Sequence, residues 1–140
     1  MFKIGSVFIP VTDLVKASKW YEEKLGVKQI EAWEEGAGFY FPSGSTQLAL
    51  IQVDEPQPTE FIQKEEKRNV YFNFLADDID QAYQSLKNNG VKVTEINNFG
   101  GMKYFDFFDL DGNLFSVVDE PLDSPFHTAN VVQLQKLSNQ

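Results

Sequence analysis

The chain contains itself twice, and that repetition limits its folds more than any other feature. Val11-Thr12-Asp13-Leu14-Val15-Lys16-Ala17 is echoed 65 residues on by Ala76-Asp77-Asp78-Ile79-Asp80-Gln81-Ala82, and Leu25-Gly26-Val27-Lys28 returns 64 residues on as Asn89-Gly90-Val91-Lys92. One residue has been lost inside the second copy. Two copies of so long a period mark a duplicated module.

Each copy reads as a strand, a helix and three further strands. Residues 4–11 and 69–75 are rich in β-branched and aromatic side chains and predict the opening strands. Thr12 or Asp13 is placed to cap the first helix, with Leu14, Ala17, Tyr21 and Leu25 on one face. Asp77 or Asp78 does the same for the second, with Ile79, Ala82, Tyr83 and Leu86 turned inward. Gly26 and Gly90 fall where a helix ends in a left-handed turn. Strand composition follows at 28–33, 38–42 and 47–53, and again at 92–96, 103–108 and 113–119. Pro42-Ser43-Gly44-Ser45 and Asp109-Leu110-Asp111-Gly112-Asn113 supply tight reversals. The second of these lacks the spacing and flanking helices of a calcium hand, because its glycine comes fourth rather than sixth.

The organisation expected is therefore a βαβββ module over 1–54, a linker over 55–68, a second module over 69–120 and a tail over 121–140, all in one compact domain. Pro56, Pro58 and a run of charges mark the linker, of which Glu65-Glu66-Lys67-Arg68 reads as a solvated loop. The tail has no counterpart in the repeat, and a short helix, an added strand and a frayed end are all open to it. A four-stranded sheet carrying one helix leaves its other face bare. The predicted fold class is α+β: two modules forming one curled mixed sheet, a cup with helices outside and alternate residues lining the hollow.

Composition narrows the partners. Twenty-one acidic against twelve basic residues give a formal charge of −9, which repels phosphate backbones and anionic membranes, so neither nucleic acid nor a membrane is expected. There is no cysteine, which excludes disulfides and thiolate chemistry. The first residues lack the apolar run of a signal peptide and no stretch approaches the ~20 apolar residues of a membrane span, so a cytoplasmic protein is expected. Thirteen Phe, five Tyr and two Trp suit a filled core or a pocket lined with flat side chains.

Pro10-Val11-Thr12-Asp13-Leu14-Val15-Lys16-Ala17 with Trp20-Tyr21 and Leu25-Gly26, then Asp77-Asp78-Ile79-Asp80-Gln81-Ala82, then Asp109-Leu110-Asp111-Gly112-Asn113, resemble the vicinal oxygen chelate superfamily over residues 4–120. That superfamily includes glyoxalase I, fosfomycin and bleomycin resistance proteins, and extradiol dioxygenases. The resemblance implies a homodimer, and a divalent metal in the cup held from the first and last strands of each half. Carried over, the metal positions fall on Ser6, on Ala49 or Leu50, on Tyr71 and on Ser116. A serine hydroxyl, a phenol and an alkyl chain are poor ligands where imidazole, carboxylate or thiolate is wanted, so neither a metal nor another cofactor is expected.

If that register holds, Ser6, Phe8, Tyr71, Asn73, Tyr104, Asp106, Ser116 and Val118 turn into the hollow, with Trp33, Phe39 and Phe41 as a rim. Such a lining offers ring area with a few orienting polar groups, which suits a small aromatic or partly apolar ligand, neutral or cationic in view of the protein's charge. The competing reading of these residues is plain packing, with Phe8 and Val118 in the core. Asp106 stands out, flanked by Phe105 and Phe107. The function expected is metal-free small-molecule binding, which leaves catalytic residues unassigned. The alternatives are a glyoxalase- or dioxygenase-type enzyme drawing metal ligands from Glu31, Glu34, Glu95 or Asp106, and an interaction module. His127, the lone histidine, reads as a surface residue, or as a ligand or proton shuttle for a neighbouring cup.

Overall fold

The computed structural model describes residues 1–139; Gln140, the last residue of the tail, lies outside them. The strands and helices run β1 (Ser6–Val11), α1 (Leu14–Leu25), β2 (Lys28–Trp33), β3 (Gly36–Tyr40), β4 (Gln47–Gln52), β5 (Glu60–Lys64), β6 (Lys67–Val70), β7 (Asn73–Leu75), α2 (Ile79–Asn88), β8 (Asn97–Phe99), β9 (Met102–Phe108), β10 (Leu114–Asp119) and α3 (Thr128–Ser138). Two four-stranded sheets have the same topology, β1-β4-β3-β2 and β7-β10-β9-β8, with the outer pair β1–β4 or β7–β10 parallel. The fold is α+β and built of two βαβββ modules.

The duplication extends to the helix ends. Asp13 and Asp78 sit at φ −135° and −132°, and each accepts a hydrogen bond from the backbone N–H three residues on. Each cap satisfies an otherwise orphan donor and contributes about 1 kcal/mol. Gly26 and Gly90, at φ 73° and 78°, take the left-handed conformation just beyond the helices.

The chain divides into two compact units, residues 1–71 with 108–114, and residues 72–107 with 115 onward. In the first, Ile9 and Val11 of β1, Ala37 and Phe39 of β3, and Leu48 and Leu50 of β4 are buried together with Leu14, Ala17 and Tyr21 of α1. In the second, Phe105, Phe107, Phe115 and Val117 are buried with Ile79 and Leu86 of α2. Phe74 lies 5.7–5.8 Å, centroid to centroid, from Phe107 and Phe115. Burying each such ring contributes about 2–3 kcal/mol, so these clusters fix which face of each sheet carries its helix.

Three expectations need correction. The segment read as a linker folds into the β5–β6 hairpin, turning at Glu65 with φ 50°. Its residues are exposed along most of both strands, so no alternation of polar and apolar residues announced it. The single strand expected over 69–75 is broken: Asn69 and Val70 pair with Phe61 and Glu60, and β7 begins only at Asn73. The strand expected over 92–96 is reduced to one bridge, Val93 opposite Phe107, with β8 starting at Asn97. The tail carries α3, capped by His127, whose Nδ1 accepts from the Ala129 N–H at 3.1 Å. No helix among the described residues is long and apolar enough to cross a membrane.

Candidate functional site

Alternation in the first module leaves an apolar face turned away from α1. Across it, Trp33 of β2 stands opposite Gly36 of β3, Gly38 opposite Ala49 of β4, and Ala49 beside Phe8 of β1. The two glycines let the indole lie down on the sheet. A methyl group at Gly36 would come within 2.4 Å of Trp33 Cζ2, and one at Gly38 would be 4.0 Å from Cζ3. Trp33 is nevertheless 51% exposed, Phe8 67% and Tyr40 44%. The result is an aromatic shelf over a floor of Gly38 and Ala49, backed by the buried layer beneath. A planar ring stacked there gains dispersion and apolar burial on a surface that is already ordered.

The second module presents a polar group of residues on the corresponding face. Ser116 Oγ donates to Asp106 Oδ1 at 2.6 Å, tying β10 to β9. Thr94 holds the Asp106 backbone on both sides: its N–H donates to the Asp106 carbonyl at 2.8 Å, and its Oγ1 accepts from the Asp106 N–H at 2.9 Å. Asn73 is the register partner of Ser116, and half-buried Tyr104 lies two residues from Asp106 along β9.

Two of the lining residues expected from sequence belong to packing instead. Phe39 is fully buried against α1, because β3 turns Ala37 and Phe39 to the helix while Gly38 and Tyr40 take the open side; it forms no rim. Val118 is 5% exposed and presents almost no surface. Tyr71 precedes β7 instead of opening it, and its ring lies 5.1 Å, centroid to centroid, from that of Phe61 of the hairpin, tilted by 56°. Ser6, Phe8 and Trp33 lie in the first unit; Asn73, Tyr104, Asp106 and Ser116 lie in the second. Tyr40, Gly36 and Gly38 were missed, although glycines two apart in a strand beside a tryptophan are a readable sign of a side chain lying flat.

A buried network occupies the turn before β10. Tyr21 donates to Asp109 Oδ2 at 2.5 Å; Asp109 also accepts from the N–H groups of Asp111 and Asn113 and from Asn113 Nδ2, each at 2.9 Å. Asn113 Nδ2 reaches the Pro10 carbonyl as well, and the Asp111 carboxylate accepts from the Thr12 N–H and hydroxyl. Burial, then the adjacent Asp109 carboxylate, push the Tyr21 phenol far above its ordinary range. The network is a structural joint: its donors and acceptors satisfy one another within the fold.

The family's metal positions do not fit a divalent ion. Ser6, Ala49, Leu50, Tyr71 and Ser116 offer hydroxyls and alkyl groups, and Leu50 is fully buried. Glu31, Glu34 and Glu95 are exposed, and among the described residues no group of three or more His, Cys, Asp or Glu side chains could hold an ion.

A search of curated proteins returns no match. Among solved structures, a glyoxalase/bleomycin resistance protein/dioxygenase superfamily member from Sphaerobacter thermophilus DSM 20745 is similar at 25% identity and TM-score 0.69, over 86% of this chain and 98% of that one. TnmS3, an antibiotic binding protein from Streptomyces sp. CB03234, shares the fold at 18% identity and TM-score 0.68, over 85% and 96%. A lactoylglutathione lyase from Agrobacterium tumefaciens shares it at 19% and 0.64, over 84% and 92%. The profile of the Glyoxalase/Bleomycin resistance protein/Dioxygenase superfamily matches residues 3–117, and with the paired βαβββ modules this places the chain in that superfamily.

Proposed function

We propose that the chain binds a small, planar, partly apolar organic molecule without a metal ion. The observation that carries the reading is Trp33 laid across Gly36 and Gly38 yet half open to solvent. Two glycines in one strand weaken it, and a flat exposed indole gains little for the free protein. Covering about 100 Å² of that apolar shelf with a ligand ring would contribute about 2.5 kcal/mol before ordering costs. Phe8 and Tyr40 would border the ring, and Ser6, in the same unit, is a polar group available to orient it. The antibiotic-binding relative supports this reading by analogy of fold. The donor set argues against the metal-dependent chemistry found elsewhere in the superfamily. A cytoplasmic homodimer belongs to the same proposal.

The test is metal analysis of protein purified without chelators, with thermal unfolding in added divalent ions and native mass spectrometry for a retained small molecule. Trace metal, no stabilisation by divalent ions and a retained organic mass are expected. Stoichiometric metal, or a melting point raised by one ion, would overturn the reading.

A further inference from the structure

Helices α1 and α2 start on a carboxylate, Asp13 and Asp78, whereas α3 starts on an imidazole. The His127 backbone carbonyl accepts from the N–H groups of Asn130 and Val131 at 2.9 and 3.0 Å, and its Nδ1 accepts from the Ala129 N–H at 3.1 Å. A ring nitrogen accepts only while it carries no proton, so the cap requires the neutral imidazole with its proton on Nε2. Carboxylates ordinarily take up protons near about pH 4 and imidazoles near about pH 6.5, so the two kinds of cap respond to acid over different ranges.

The third helix also depends most on its cap. α1 buries Leu14, Ala17 and Tyr21 and α2 buries Ile79 and Leu86, whereas none of the 11 residues of α3 is buried. Packing supplies most of a helix's stability in a protein, and a helix this short has little of its own in water. A cap favours the ordered first turn roughly fivefold. Protonating His127 removes the acceptor and also sets a cation at the positive end of the helix dipole. Other partners surround the ring. His127 lines a cleft of about 160 Å³ together with Asp77 from the turn before α2, Asp119 at the end of β10 and Glu120 just beyond it, and no Lys or Arg is among the described residues that line it. Glu120 Oε1 accepts from the Ser124 hydroxyl at 2.8 Å, and the one charge on α3, Lys136, lies in its last turn.

We propose that α3 is a pH-sensitive element of the fold: neutral His127 holds its first turn, and protonated His127 releases the Ala129 N–H, turns to the carboxylates of Asp77, Asp119 and Glu120, and lets that turn unwind. The proton comes from solvent. The cap is present above the range in which the imidazole takes it up and is lost as the pH falls through that range, while the carboxylate caps of α1 and α2 persist. A charge-assisted hydrogen bond to a carboxylate then replaces the neutral one to the helix, so the ring exchanges one partner for another and does not simply lose one.

The test is NMR of the intact protein between pH 7.5 and 5.5. At pH 7.5 the imidazole nitrogen shifts are expected to place the ring proton on Nε2. At pH 5.5 the helical Cα shifts of residues 128–132 are expected to fall by at least half, on the same titration curve as the ring, while those of α1 and α2 stay unchanged. His127→Asn, whose amide oxygen accepts at either pH, should keep the α3 shifts at both. Asp119→Asn combined with Glu120→Gln leaves the cap intact and removes two of the three carboxylates, so the loss should move to lower pH by at least 0.5. Equal α3 shifts at the two pH values, an equal loss in His127→Asn, or a ring proton on Nδ1 at pH 7.5 would overturn the proposal. A titration curve unmoved by the double substitution would overturn the part given to the carboxylates.

Discussion

Replacing Tyr21 by Phe removes one hydroxyl from a site that is 1% exposed and changes little else. The lost bond runs to a carboxylate, a class worth about 1.5–3 kcal/mol. Asp109 keeps three other donors, from Asp111 and Asn113, so the expected cost at pH 8 is near the lower part of that range, about 2 kcal/mol. For a chain of this length that lowers the melting temperature by about 6 °C. The pH dependence is more diagnostic. The folded phenol is held far above its usual range by burial and by Asp109, so it stays protonated while the unfolded chain's tyrosine ionises above about pH 10. Stability from this group is therefore complete below pH 10 and falls as pH rises, by about 1.4 kcal/mol per pH unit. The advantage of the native protein over Tyr21→Phe should vanish near pH 11.5, that is about 2/1.4 units above 10. Urea unfolding followed by circular dichroism at pH 8, 10 and 11 measures it. A difference that stays constant across that range, or none at pH 8, would refute the joint as described.

Other outcomes follow from single contacts. Gly36→Ala puts a methyl 2.4 Å from Trp33 Cζ2, so the indole should lift from the sheet, red-shifting its fluorescence and weakening ligand binding with little loss of stability. Trp33→Ala should reduce binding of a planar ligand more than tenfold, equivalent to about 1.4 kcal/mol, and leave the melting temperature within a few degrees. His127→Ala should cost α3 about 1 kcal/mol of capping, seen as faster amide exchange over residues 129–132, with His127→Asn largely restoring it.

The parts of the fold written locally were legible in the sequence. Asp13 and Asp78 announce helix starts because a capping carboxylate acts on a donor only three residues away, and the echo of one module in the other exposes both at once. The β5–β6 hairpin was not legible, since a ribbon exposed on both faces needs no alternation. Nor was the joint between Tyr21 and Asp109, which are 88 residues apart. In the candidate site, Asp106 between two phenylalanines was readable as a carboxylate needing explanation, but its clasp by Ser116 depends on β9 and β10 lying side by side. Phe39 was misplaced because only the alternate glycines before it, Gly36 and Gly38, reveal which face of β3 is open.

The most direct measurement is the NMR signal of the Trp33 indole N–H during titration with 4-aminoquinoline in the presence of a strong chelator. A saturable shift of Trp33, with Trp20 unmoved, is expected, and it should disappear in Gly36→Ala. A Trp33 signal that does not respond, or one that responds only once a divalent ion replaces the chelator, would contradict metal-free binding on this face.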